Sequence, residues 1–371
     1  MIWYNIAVQK RREVSVTRYT VYKFEQEAIE GSLTYMDGLG FISANNRLRY
    51  LRSLKRSSAF LCFLALLYFL CRASLGTPIL YIGYFLGMNI QINPTSGWIN
   101  VAGPTAFFMA LLVDFIALLL PVALASFVYR DQLYTHRMFA PARHNTARIA
   151  VPLLIACGLG GLLLTEGMHA LARLLGLSLP AFVSTPSFLP THLAPAYKLV
   201  SDLLNVILTT IFTHGIALRV LRRFGDGFAI LSCALLSALI TRDATAAFSI
   251  FLFSLAGGYF TIRGGSVRPV LFARIVCVLL FTYGNAFLPS LISSESLVEV
   301  IRVTTALLIT AGAFFAYFHF IRMDANAFRL VHPTDALSNK KKLGNFCSSF
   351  FFFLLIFRLL VALAESVELM G

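Results

Sequence analysis

Charge is what this chain has least of. Only 13% of its 371 residues are Asp, Glu, Lys or Arg, against about 25% in an ordinary soluble domain. Acidic groups are the scarcer kind, 17 against 31 Lys and Arg, for a formal net charge of +14. There is no CxxC and no metal-ligand spacing of cysteine. The six cysteines (Cys62, Cys71, Cys157, Cys233, Cys277, Cys347) stand singly, mostly in apolar runs, which argues against a disulfide frame and a cysteine zinc site. A Gly-rich phosphate loop, a GxSxG elbow and an HExxH helix are all missing, so the usual signatures of nucleotide hydrolysis, serine hydrolysis and zinc proteolysis are missing too. No basic helix with interleaved aromatics occurs, so the positive charge does not point to nucleic acid.

What fills the chain instead is apolar sequence. Hydrophobic residues make up 58% of it and the mean hydropathy is +0.77. That excludes a soluble enzyme, a disordered protein and a disulfide-rich secreted domain. The apolar runs are long and do not alternate as barrel strands do. The fold class read from this is all-α, a polytopic membrane helical bundle.

Nine apolar segments are predicted to cross: Ser58–Ala73, Pro104–Tyr129, Ala147–Thr165, Leu199–Leu221, Gly227–Thr241, Thr245–Ile262, Val270–Leu288, Leu297–Ile321 and Phe346–Ala364. Several, the fifth and sixth above all, fall short of the ~20 residues that cross a bilayer unaided. Pro78–Ile90 is shorter still and reads as an interfacial or re-entrant piece. Basic residues gather in every second loop: Arg47 to Arg56, Arg130 to Arg148, Arg219 to Arg223, Arg263 and Arg268, then Arg322 to Lys342. The alternate loops hold almost none, and the tail is acidic. This places the N-terminus in the cytoplasm and the C-terminus outside in a multi-pass membrane protein.

The chain divides accordingly. Residues 1–57 form a cytoplasmic basic region with no signal-peptide pattern, a hint of strand around Val14–Phe24, and a basic amphipathic helix at Arg47–Arg56 suited to an anionic leaflet. Residues 58–146 hold the first membrane helices, 147–290 a membrane core, and 291–371 the last helices.

Ionisable residues inside spans are costly, and each is a functional candidate. They are Asp114, Glu166, His169, Asp202, His214, Arg274, Glu299, Arg302 and Arg358. Glu299 and Arg302, three apart, can neutralise each other, and Arg274 can pair with Asp202 or Asp114. Glu166 and His169 lie at i, i+3, compatible with two metal ligands on one face, though zinc wants three or four. Thr209, Thr210 and Thr213 precede His214, and threonines so placed can bond to carbonyls one turn back. Gly158, Gly160, Gly161, Ala256, Gly257 and Gly258 permit close helix approach and a compact bundle.

The stretch Gly215-Ile-Ala-Leu-Arg-Val-Leu-Arg-Arg-Phe-Gly-Asp-Gly-Phe-Ala-Ile230, with Phe253-Ser-Leu-Ala-Gly-Gly-Tyr-Phe-Thr-Ile-Arg-Gly-Gly-Ser-Val-Arg-Pro269, resembles the CPBP family of intramembrane metalloproteases, also called the Abi or type II CAAX-protease family. The likeness covers about a third of the chain, Ala147 to Leu280, and lies in framework positions. It implies a family site built on EExxxR, FxxxH and HxxxN or HxxxD. Those positions fall here on Thr209 and Thr210, His214, Ser237 and Thr241, and Arg274 and Val278. None of the family's catalytic types is present. Threonine is no general base at neutral pH, and Arg274 would repel a metal cation.

The resemblance therefore implies a catalytically silent member in a bacterial plasma membrane, a scaffold or accessory subunit for another membrane or envelope protein, with the lipid bilayer and a membrane protein as partners and no cofactor. A polar cavity is expected around Asp202, Thr213, His214 and Arg274. Two alternatives stand beside it. One is an active metallopeptidase with a relocated zinc site at Glu166, His169 and His214. The other is a carrier of a small or lipidic substrate along Asp114, Asp202 and Arg274.

Overall fold

The computed structural model describes residues 40–92, 99–101, 103–130, 138–139, 141, 144–174, 189–241, 246–292, 294–323, 339–347, 351 and 353–357. The hint of strand at Val14–Phe24, Arg358 and the acidic tail lie outside them. The elements are helical apart from one small hairpin. In chain order they are α1 (Gly40–Ser74), α2 (Gly76–Phe85), β1 (Ile90–Ile92), β2 (Ile99–Val101), α3 (Gly103–Val128), α4 (His144–Leu174) and α5 (Ala194–Thr210). A π-helical segment Ile211–Ala217 joins α5 to α6 (Leu218–Arg222). Then follow α7 (Asp226–Ile240), α8 (Ala247–Gly264), α9 (Arg268–Cys277), a second π-helical segment Val278–Gly284, α10 (Asn285–Leu291), α11 (Glu295–Met323) and α12 (Asn339–Phe346).

Among the described residues, six helical stretches are long and apolar enough to cross a bilayer: Arg49–Arg72, Gly103–Val128, Arg148–Thr165, Ala194–Arg222, Ala247–Gly264 and Ser296–Arg322. This is a membrane helical bundle. The fifth predicted segment forms α7, which at 15 residues reaches about 22 Å, less than a ~30 Å hydrocarbon core. The seventh is divided between α9, the second π segment and α10. Only part of the ninth lies among the described residues. Arg47–Arg56 is not a separate surface helix; it runs without a break into the first span as α1. Its Arg49, Arg52, Lys55 and Arg56 point outward, while Leu54 and Ser57 are buried. The Pro78–Ile90 piece is α2 leading into an antiparallel hairpin with Ile90 opposite Val101.

Three apolar clusters hold the bundle. The largest joins α1, α3, α5 to α7 and the segment after Phe346, around Leu61, Leu64, Ile216, Leu221 and Leu236. A second joins α2, the hairpin, α3 and Tyr197. The third joins α4, α8 and α9 through Leu154, Phe253, Phe260 and Val270. Small residues set the close approaches in this third region. A Cβ at Gly161 would stand 2.7 Å from Ser249 Cβ, and one at Gly158 would stand 2.5 Å from Cys277 Sγ. Gly225 (φ +122°) turns the chain from α6 into α7, a backbone conformation that side chains other than glycine rarely adopt.

Two polar ties lock the basic end of the bundle. Arg223 donates to Ser57 Oγ at 2.5 Å. Lys342, 1% exposed, donates to Phe224 O at 2.8 Å and lies 6.0 Å from the Tyr50 ring.

Candidate functional site

Two polar groups of side chains lie inside this apolar bundle. The first is built where α5 passes into its π-helical continuation. A π turn admits one more residue per turn than an α-helix, and such turns recur at functional sites. Thr209, Thr210, Thr213 and His214 follow closely there and are all buried. The three hydroxyls bond backward: Thr209 to Asn205 O at 2.5 Å, Thr210 to Val206 O at 2.6 Å and Thr213 to Thr209 O at 2.8 Å. They close carbonyls of their own helix, as the threonine spacing predicts.

His214 is fully buried, with Nδ1 3.0 Å from Thr213 Oγ1 and Nε2 3.4 Å from Ser254 O on α8. The approach depends on Gly257, where a Cβ would stand 2.9 Å from His214 Nε2. Thr213 has a single hydroxyl proton, which goes to Thr209 O, so its Oγ1 offers the ring nitrogen a lone pair. Arg274 on α9 donates through Nη1 to Thr210 Oγ1 at 3.0 Å. Around this group Cys233 Sγ meets Thr213 O at 3.0 Å, and Ser237 donates to Cys233 O at 2.9 Å. Thr241 Oγ1 and Ser254 Oγ are sealed without a partner among the described residues.

The second group centres on Asp114 of α3, 3% exposed. Its Oδ2 accepts a bond from Tyr197 Oη at 2.7 Å and a short one from Ser201 Oγ, both on α5. Arg72 Nε of α1 stands 3.8 Å from its Oδ1. Asp202, next along α5, accepts from Tyr283 Oη at 2.8 Å. Three helices are joined here through one carboxylate.

The sequence-predicted cavity residues therefore separate. Thr213, His214 and Arg274 lie with Thr209 and Thr210 in the first group, whereas Asp202 belongs with Tyr283. The expected pairing of Arg274 with Asp114 gives way to Arg72, which approaches from α1. No carboxylate comes within ion-pair distance of Arg274 among the described residues; Asp226 and Glu299 face Arg222 and Arg302. Glu299 and Arg302 do neutralise each other, at 2.9 Å on an exposed helix face. Glu166 and His169 both fall on α4, but their side chains lie outside the described residues. No group of three or more His, Cys, Asp or Glu that could hold a metal ion occurs among the described residues.

Sequence reasoning missed Arg72, Tyr197, Ser201, Tyr283 and Ser254. The i, i+4 spacing of Tyr197 and Ser201 puts two hydroxyls on one helical face, a signal that could have flagged a polar partner for Asp114. Chemically, the first group offers hydrogen-bond donors, an imidazole and a cation, without a carboxylate to activate water. No family model, no curated protein and no solved structure matches the chain.

Proposed function

We propose that this chain is a non-catalytic membrane scaffold or accessory subunit, a silent and divergent relative of CPBP-type proteases, that holds another membrane or envelope protein. One observation carries the reading. Where water activation would need a carboxylate, Thr209 and Thr210 stand, and their hydroxyl protons are spent on Asn205 O and Val206 O. Arg274 is tied to Thr210 in turn. A cation in that position favours neither a second cation nor a metal ion.

In this proposal the chain crosses a bacterial plasma membrane nine times with its N-terminus in the cytoplasm. Six long apolar helices support it, as does the recurrence of Lys and Arg in alternate loops. The three remaining crossings are the short α7, the α9-to-α10 composite and the segment after Phe346.

The test is purification of the full chain in a mild detergent, with elemental analysis and mass spectrometry on one sample. A stoichiometric membrane protein that co-purifies and survives cross-linking is the expected result. One zinc per chain, lost in His214→Ala, would overturn the reading and revive the relocated peptidase.

A further inference from the structure

Arg274 is a cation held inside the bundle on one neutral partner. It is 8% exposed, and its one hydrogen bond among the described residues goes to Thr210 Oγ1. A guanidinium carries five N–H donors in a planar fork and no acceptor. Thr210 spends its own proton on Val206 O, so it supplies Arg274 with a lone pair and no charge. Among the described residues, the ionisable groups beside it are His214 and the thiols of Cys233 and Cys277, none of which is a carboxylate.

Taking such an ion out of water is costly unless it is paired. Ionisable residues inside membrane helices commonly mark a ligand path for that reason. The donors that Thr210 does not use are not sealed in. Among the described residues, Asn205 Oδ1, Ser232 Oγ, Thr241 Oγ1 and Ser254 Oγ are sealed without a partner, and no nitrogen of Arg274 is of this kind. The side chain keeps 8% of its surface accessible. Ser254, wholly buried, carries the carbonyl that meets His214 Nε2 at 3.4 Å. Donor capacity on Arg274 is in surplus, and no carboxylate lies within ion-pair distance of it among the described residues.

We propose that Arg274 anchors a binding site for a phosphate-type oxyanion, with the planar fork taking two of its oxygens. A guanidinium matches phosphate in this bidentate way, and an ammonium does not. The oxyanion comes either from an anionic lipid headgroup or from a small soluble anion. Both present the same chemistry to the fork.

The experiment uses the full chain in nanodiscs and reads the thermal unfolding midpoint. One arm compares phosphatidylcholine alone with phosphatidylcholine plus phosphatidylglycerol. The other adds sodium phosphate to the phosphatidylcholine discs, with ionic strength held constant by sodium chloride. The wild type is expected to be stabilised in one arm, which names the source, and Arg274→Gln to lose that stabilisation. Arg268→Gln, an exposed position one turn and a half earlier on α9, is expected to keep it. Arg274→Lys keeps the charge and loses the fork, and should bind about tenfold more weakly, about 1.4 kcal/mol. Should Arg274→Gln fail to fold, the lysine variant and native mass spectrometry of lipid retained by the wild type decide. An equal response in wild type and Arg274 variants, or no response of the wild type to either anion, would overturn the proposal.

Discussion

Asp114 shows what one carboxylate does in an apolar bundle. It draws Tyr197 and Ser201 from α5 and Arg72 from α1 onto a single side chain. Removing one donor should cost little, because the carboxylate keeps its others. Tyr197→Phe is therefore expected to lower stability by about 1 kcal/mol. Asp114→Ala strips every donor of its acceptor and leaves Arg72 unpaired. It should cost about 3 kcal/mol, at the low end for a broken buried pair, because Arg72 is a quarter exposed. Unfolding of both variants in one detergent checks this, and an Asp114→Ala protein as stable as Tyr197→Phe would refute it. That Asp114 needed a partner was legible in the sequence, since an unpaired charge in a span is too costly. Its partner was not legible. Arg274 and Arg72 are both single arginines at span positions, and only the packing of α1 against α3 decides between them.

At the scale of the helix, the glycines of α4 separate into contact and free positions. The run Gly158, Gly160, Gly161 predicts close approach without saying which residue provides it. A Cβ at Gly161 would meet Ser249 Cβ at 2.7 Å and Ser249 Cα at 3.0 Å, whereas nothing lies within 4 Å of one at Gly160. Gly160→Ala should stabilise the protein by about 1 kcal/mol, the usual difference in helix propensity. Gly161→Ala forces α8 away and should destabilise by about 1–3 kcal/mol despite the same propensity gain. Opposite shifts in unfolding midpoint are expected, and shifts of one sign would count against the close α4–α8 contact. The π segments were less legible still. A single extra residue in a turn leaves an apolar run apolar, so Ile211–Ala217 reads as plain helix. It nonetheless rotates all that follows by about 100°, and it sets where His214 lies relative to Thr210.

The whole molecule is buried unevenly. Only 11% of the most apolar window of α11 is covered by the rest of the chain, against 67% for the stretch Ala194–Arg222. Leu307, Leu308, Phe314 and Phe315 all face outward. Spin labels at Leu308 and Phe315 of the isolated protein in phosphatidylcholine bilayers should therefore show high accessibility to oxygen, which partitions into hydrocarbon. Low accessibility at both would mean that α11 is covered. The bundle as a class was legible from composition alone, because 58% hydrophobic residues leave no polar shell to face water. Which segments form full-length helices was harder to read. Hydropathy measures how apolar a run is, while the lengths of α7 and α9 are set by Gly225, Gly265 and the π turn after Cys277.

The tie from Lys342 to Phe224 O has a consequence for biogenesis. A ribosome releases α1, α3 and α5 into the membrane long before it makes residue 342. Until then the carbonyl of Phe224 waits without its ammonium, and Phe228 lacks the edge-on contact that Phe346 later supplies. The nascent bundle thus stays open at its basic end until late in synthesis. A chain interrupted before that point would present an aromatic, unclosed face to the proteases that survey unfinished membrane proteins.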